Sequence, residues 1–265
     1  MLIGIDHVVL ATADPDATAA TLEQKLGLVT TDGGRHDAFG TMNRLVWLGD
    51  AFLELIWVFD AELAGRSWLG RPVLASLERG GGLVTWAISV GDLADALRWA
   101  PPDRGLLGPL DGERRRPDGQ LVRWRFARPE EVSPTAPFLI EHDRQAAEWT
   151  SAEREARQAD VHPFGGRAGL SSVEVETGAP AVAAGRLRSL LAAAVEPAGR
   201  SGVRVHLGPH EARFVVPRPR PGPIIDLVTD VPLRARVMRI GDCIVRLRGL
   251  PVSMAEPNPG AGGGV

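Results

Sequence analysis

One order of elements recurs along this chain and limits its fold more than any single motif does. A β-branched run, a short helix-forming stretch and then further strand-like runs follow one another. The series restarts after about 60–80 residues, the mark of a duplicated supersecondary unit. In the first pass, residues 5–10 read as a strand and Asp14-Pro15-Asp16 as a turn. Residues 17–26 read as a helix, with Gly27 placed to cap its C-terminus. Residues 43–48 and 51–58 then read as strands joined at Gly49-Asp50. The second pass has strands at 83–90, 121–127 and 137–142, with a short helix at 92–99. The third has strands at 171–177, 203–207, 212–216 and 224–228, and a helix at 180–194. The unit is βαβββ, seen about three times, and the fold class it predicts is α+β.

The predicted organisation is a paired-module domain over 1–145, a linker over 146–167, a third module over 168–250 and a disordered tail over 251–265. An odd number of modules leaves one sheet without an internal partner, which favours a covering segment or a homodimer.

Composition removes several classes of function. Thirty Lys and Arg against 33 Asp and Glu leave a net charge of −3, so neither nucleic acid nor an anionic membrane is an expected partner. The single cysteine, Cys243, excludes a disulfide framework and any multi-thiolate zinc site, and suits the reducing cytoplasm. No apolar run reaches the ~20 residues of a membrane span. With 7 Trp and no Tyr, buried aromatic surface is indole and phenyl, and no tyrosyl acid is available.

Three stretches carry a resemblance. They are Ile5-Asp6-His7-Val8-Val9-Leu10; Gly33-Gly34-Arg35-His36 leading through Gly40-Thr41-Met42-Asn43 to Phe52-Leu53-Glu54-Leu55-Ile56; and Arg116-Pro117-Asp118-Gly119, Arg123-Trp124-Arg125 and Pro137-Phe138-Leu139-Ile140-Glu141-His142. In this order they resemble the glyoxalase-like domain family of the vicinal-oxygen-chelate superfamily, over about residues 1–145. The resemblance implies paired βαβββ modules curled into a cup that holds a divalent metal, with ligands from the first and last strands of each module. The matching positions are His7 and Glu54, then Trp86 and Glu141. Indole cannot ligate, so the expected ligands are His7, Glu54 and Glu141, a set suited to Zn, Mn, Fe, Co or Ni.

The residues point the same way in part. A His and a Glu inside apolar strands are costly unless paired or metal-bound. Alternation groups His7 with Ile5 and Val9, and Glu54 with Phe52 and Ile56. The loop 33–43 offers His36 as a general base and Arg35 and Asn43 as ligand-binding groups. Glu141 is a second catalytic candidate, Trp86 a floor for the cup, and Arg123 part of an anion clamp. Two functions stay open. One is a metal-dependent lyase, isomerase or ring-opening oxygenase acting on a small molecule. The other is a metal-free protein that binds or sequesters a small molecule by stacking.

Overall fold

The computed structural model describes residues 1–99, 105–158, 162–199, 202–219 and 222–250; the expected tail, 251–265, lies outside the described residues. The first module runs β1 (Leu2–Ala11), α1 (Pro15–Leu26), β2 (Thr31–His36), β3 (Thr41–Leu48) and β4 (Ala51–Val58). Asp14 caps α1 by accepting the Ala17 N–H at 2.9 Å, and Gly27 ends it in the left-handed region at φ 72°. Two helices that the sequence pattern does not announce follow, α2 (Ala61–Arg66) and α3 (Gly70–Glu78). The second module is β5 (Gly82–Val90), α4 (Leu93–Trp99), β6 (Leu106–Arg115), β7 (Leu121–Pro129) and β8 (Phe138–His142).

The two modules close into one eight-stranded barrel in the order β1-β4-β3-β2-β6-β7-β8-β5. Each first strand runs parallel to its module's last, β1 to β4 and β5 to β8, and β1 pairs antiparallel with β5 across the module boundary. The other seam joins β2 to β6 at Arg35 and Arg115. Gly34 sits there at φ +143°, and a Cβ on it would lie 2.0 Å from the Arg115 carbonyl oxygen. Only glycine lets the strands meet this closely. The pairing of β1 with β5 also slips by one residue between Ile5 and His7. Asp6 is the extra residue of this bulge. As a result Ile5 packs outside the barrel with Val8 and Leu10, whereas His7 faces inward.

After a 3-10 turn (Ala147–Trp149) and α5 (Ser151–Gln158), the chain builds β9 (Ala168–Glu176), α6 (Pro180–Leu191), β10 (Val195–Ala198), β11 (Gly202–Leu207) and β12 (His210–Val215). The last strands are β13 (Ile224–Pro232), β14 (Arg236–Ile240) and β15 (Cys243–Leu250), and the sheet order is β10-β11-β12-β9-β13-β15-β14. Here β9 pairs antiparallel with β13 as β1 does with β5, and β13 runs parallel to β15 as β5 does to β8. The strands β13, β14 and β15 thus complete the one seven-stranded sheet of the C-terminal module. The main hydrophobic core spans the outer face of the barrel and one face of this sheet, from Val8 and Trp86 to Phe214 and Leu227. Hydrogen bonds also cross between them, among them Ile5 N–H to His210 Nδ1 at 2.9 Å and Leu83 N–H to Asp242 Oδ1 at 3.2 Å. Among the described residues no helix is long and apolar enough to cross a membrane.

Candidate functional site

The barrel encloses a cavity with two lids. At one end α2, α3 and the link between them insert Trp68 and Leu69. Trp68 packs face-on against Phe126 at 5.1 Å and edge-on against Phe138 at 5.4 Å. Across the cavity wall lies the segment 147–158, here called the strap, part of the expected linker 146–167. Trp149 is 5% exposed and Arg157 8%. The Trp149 ring lies against His142 at 4.8 Å, and the Arg144 and Arg157 guanidiniums stand 4.5 and 4.9 Å from its centre. Arg157 also covers Trp47 at 4.2 Å.

Between these lids the polar groups form one chain of contacts. Asp6, turned inward by the bulge, meets His7 Nδ1 at 2.7 Å and His142 Nε2 at 3.0 Å. Burial of Asp6 opposes ionisation, but the two imidazoles outweigh it and hold the carboxyl well below the usual range. With Asp6 ionised, the ring nitrogens that contact it donate to it, and His7 Nε2 faces the cavity, 3.6 Å from Glu54 Oε2. Phe52 stacks on the His7 ring at 4.7 Å and fixes its plane. Glu54 Oε1 accepts the Asn43 Nδ2–H at 2.6 Å and lies 3.8 Å from His36 Nε2. His36 Nδ1 contacts Thr41 Oγ1 at 3.1 Å. Burial pushes the His36 imidazole down to about 4, with the Glu54 carboxylate opposing, so it is neutral at pH 7. Three lining side chains each keep one buried polar atom without a partner among the described residues: Asn43 Oδ1, Trp68 Nε1 and His142 Nδ1. Such atoms suit a polar ligand or water.

His7, Glu54, His36 and Asn43, expected from the sequence, thus come together. Four other expected residues do not join them. Glu141 lies on the outer side of β8. Its carboxylate accepts the Leu93 N–H at 2.6 Å, at the start of α4, and binds Arg125 Nη2 at 2.7 and 2.9 Å. Its neighbours Ile140 and His142 line the cavity instead. Trp86 also points outward, fully buried in the main core, with Nε1–H donating to the Pro134 carbonyl at 2.8 Å. The residue opposite His7 on β5 is Ala87. Arg35 lies over Phe59 at 3.8 Å and pairs with Asp37, and Arg123, 69% exposed, pairs with Glu113 at 3.5 Å. Trp86→Ala is therefore expected to act on stability alone. It should cost about 3–5 kcal/mol in denaturant unfolding, as truncation of a large core side chain does. A loss below about 1 kcal/mol would contradict this placement.

The metal set implied by the resemblance does not fit. Of the four strand positions only His7 and Glu54 present donors to the cavity; Trp86 and Glu141 point away, and the second module's one imidazole there, His142, is held by Asp6. Among the described residues no group of three or more His, Cys, Asp or Glu is arranged to hold a metal ion. In the second sheet Ser172 and Asp226 face each other, but Asp226 is bound by Arg246 at 2.7 Å and Arg248 at 2.9 Å. Two partners within the barrel were missed from sequence, Asp6 and His142. Adjacency of Asp6 to His7 was visible, but strict alternation assigns them to opposite faces.

Two βαβββ modules closed round one polar-centred cavity define a vicinal-oxygen-chelate fold. The Glyoxalase-like domain family matches residues 5–191, and the chain belongs to it. A hypothetical protein from Staphylococcus aureus is similar over 94% of this chain and 100% of its own, with 14% identity and a TM-score of 0.76. A mutant of 4-hydroxymandelate synthase from Streptomyces coelicolor is similar over 94% of this chain and 93% of its own, with 13% identity and a TM-score of 0.55. Methylmalonyl-CoA epimerase from the same organism covers 54% of this chain and 99% of its own, at 22% identity and a TM-score of 0.40. At these identities the likeness is one of fold. Among curated proteins nothing matches.

Proposed function

We propose that the barrel cavity is the active site of an enzyme that moves a proton at a carbon next to a carbonyl in a small polar molecule, an isomerase or lyase. The observation that carries this reading is His7, oriented by Asp6 behind it and facing Glu54 Oε2 at 3.6 Å in an aromatic-walled cavity. A substrate C–H bond breaks, and its proton goes to His7 Nε2. The imidazolium so formed stands between two carboxylates, Asp6 and Glu54. The electron pair left on carbon moves onto the carbonyl oxygen. With Thr41 donating to Nδ1, the neutral His36 offers Nε2–H to that oxygen. Return of the proton to carbon gives isomerisation; departure of a β-substituent gives elimination. The divalent metal expected from the resemblance has no part in these steps, because of its expected ligands only His7 and Glu54 face the cavity.

A second reading is a binding protein without catalysis. The cavity wall supports it: Trp47, Trp68, Trp124 and Trp149 surround a few polar groups. Exchange of carbon-bound hydrogen with solvent separates the two. Small hydroxy- and oxo-carbonyl compounds are incubated with the protein in D2O and followed by proton NMR, with and without added Zn, Mn or Ni. The enzyme reading expects exchange without added metal. His7→Gln should slow it by about 10²–10⁴-fold, the usual worth of a positioned base. Saturable binding with no exchange would establish the binding protein instead. Exchange only with added metal would overturn the metal-independent mechanism.

A further inference from the structure

The cavity carries one arginine among its described lining residues, and the strap already occupies it. Arg114, on β6, is 7% exposed. One guanidinium nitrogen donates to the Gly33 carbonyl, and Nη2 donates to Glu148 Oε1 at 2.8 Å. Glu148 is equally buried and belongs to the turn that brings Trp149 over the cavity. Arg157 stands behind them, with both Nη atoms buried and unpartnered and its charge disfavoured by burial. A single side-chain carboxylate is thus set among two buried guanidiniums, at the wall of a cavity whose other groups handle protons. The free volume left is about 50 Å³, space for about four water molecules at ~10–15 Å³ each. Little beyond a few heavy atoms enters unless something leaves.

We infer that the substrate is a small carboxylate, bound through Arg114, and that Glu148 holds its place while the cavity is closed. This rests on the proton-transfer reading for the location of the reacting carbon, not for the carboxylate site itself. A planar guanidinium takes a carboxylate through two parallel N–H···O bonds. An incoming carboxylate that exchanges with Glu148 keeps Arg114 paired, and the displaced Glu148 carboxylate passes to water. The displaced Glu148 moves with the strap, which opens the volume the substrate needs.

Pyruvate and pyruvamide test this, since they differ in a carboxylate against a neutral amide of similar size. Each is titrated into wild-type protein, Glu148→Gln and Arg114→Met, with tryptophan fluorescence as the readout and thermal midpoints confirming folding. Wild type should bind pyruvate at least about tenfold tighter than pyruvamide, the scale of one charge-assisted hydrogen bond. Glu148→Gln retains a hydrogen-bond acceptor but removes the competing charge. It should tighten pyruvate by about tenfold and leave pyruvamide unchanged. Arg114→Met should abolish the preference. Equal affinity for the two probes, unchanged or weaker pyruvate binding in Glu148→Gln, or no binding of either probe overturns the inference. Deuterium exchange at the pyruvate methyl group is read in the same samples. Carboxylate preference without exchange would sink the proton-transfer reading and leave the carboxylate site standing.

Discussion

Asp6→Asn is expected to lower the rate of proton exchange by about 10³–10⁴-fold while the protein remains folded. The same carboxylate-to-amide change behind a catalytic imidazole costs about 10⁴ in serine proteases. The reason lies in the tautomer. Asp6 accepts from His7 Nδ1 at 2.7 Å, which leaves the Nε2 lone pair facing the cavity. An asparagine amide donates to Nδ1 and drives the proton to Nε2, so the base presents a hydrogen where it needs a lone pair. Substrate affinity, set by Arg114 and the aromatic wall in this account, should change little, so the loss falls on kcat and not on KM. A matched fall in thermal midpoint and rate would mark Asp6 as structural only. A drop of less than tenfold with a normal midpoint would remove the dyad from the mechanism.

The second large effect is loss of stability in acid. Burial pushes both His36 and His210 from 6.5 down to about 4, and His162 is lowered by burial too. Each is neutral when folded and takes up a proton more readily when unfolded. Their contribution is full above pH ~6.5 and is lost as pH falls through about 4. At ~1.4 kcal/mol per pH unit, His36 accounts for about 3 kcal/mol and the less buried His210 for somewhat less. That is a large share of the ~5–15 kcal/mol that holds a typical domain together. Urea unfolding between pH 7 and 4 should show the midpoint falling steadily, with about two protons bound on unfolding in the lower half of the range. In His210→Gln, which still offers an acceptor to the Ile5 N–H, about one of those protons should disappear. A flat profile from pH 7 to 4 would mean that these rings are solvated in the folded state.

The duplicated module was legible because each copy repeats β-branched runs and turn signals in one order, and those runs became strands. Phase was not legible. Every residue of β5, from Gly82 to Val90, is buried. The barrel is filled inside and covered outside, so an apolar run says nothing about which alternate side chains face in. Trp86 was assigned inward where Ala87 is, and Glu141 where Ile140 and His142 are, each by one residue. In β1 the bulge reversed the phase within one strand, which separated Ile5 from His7 and joined Asp6 to it. No local signal marks that extra residue. The strap hid for another reason. Its charged stretch reads as solvated surface and 151–156 is mostly exposed, but Arg157 is buried, with its guanidinium over the Trp47 and Trp149 rings.

The strap joins the barrel to the seven-stranded sheet, and it also shuts the barrel's cavity. Modularity therefore fails at the place where the chain looks most divisible. A polypeptide ended after His142 keeps all eight barrel strands but loses Trp149, Glu148 and Arg157. The indole of Trp47 and one edge of His142 would face water, and Arg114 would lose its ion-pair partner. Conversely, the sheet grafted elsewhere without the barrel carries away a cover with nothing beneath it. Any swap of halves between relatives of this fold has to move residues 147–158 with the barrel, against the apparent boundary.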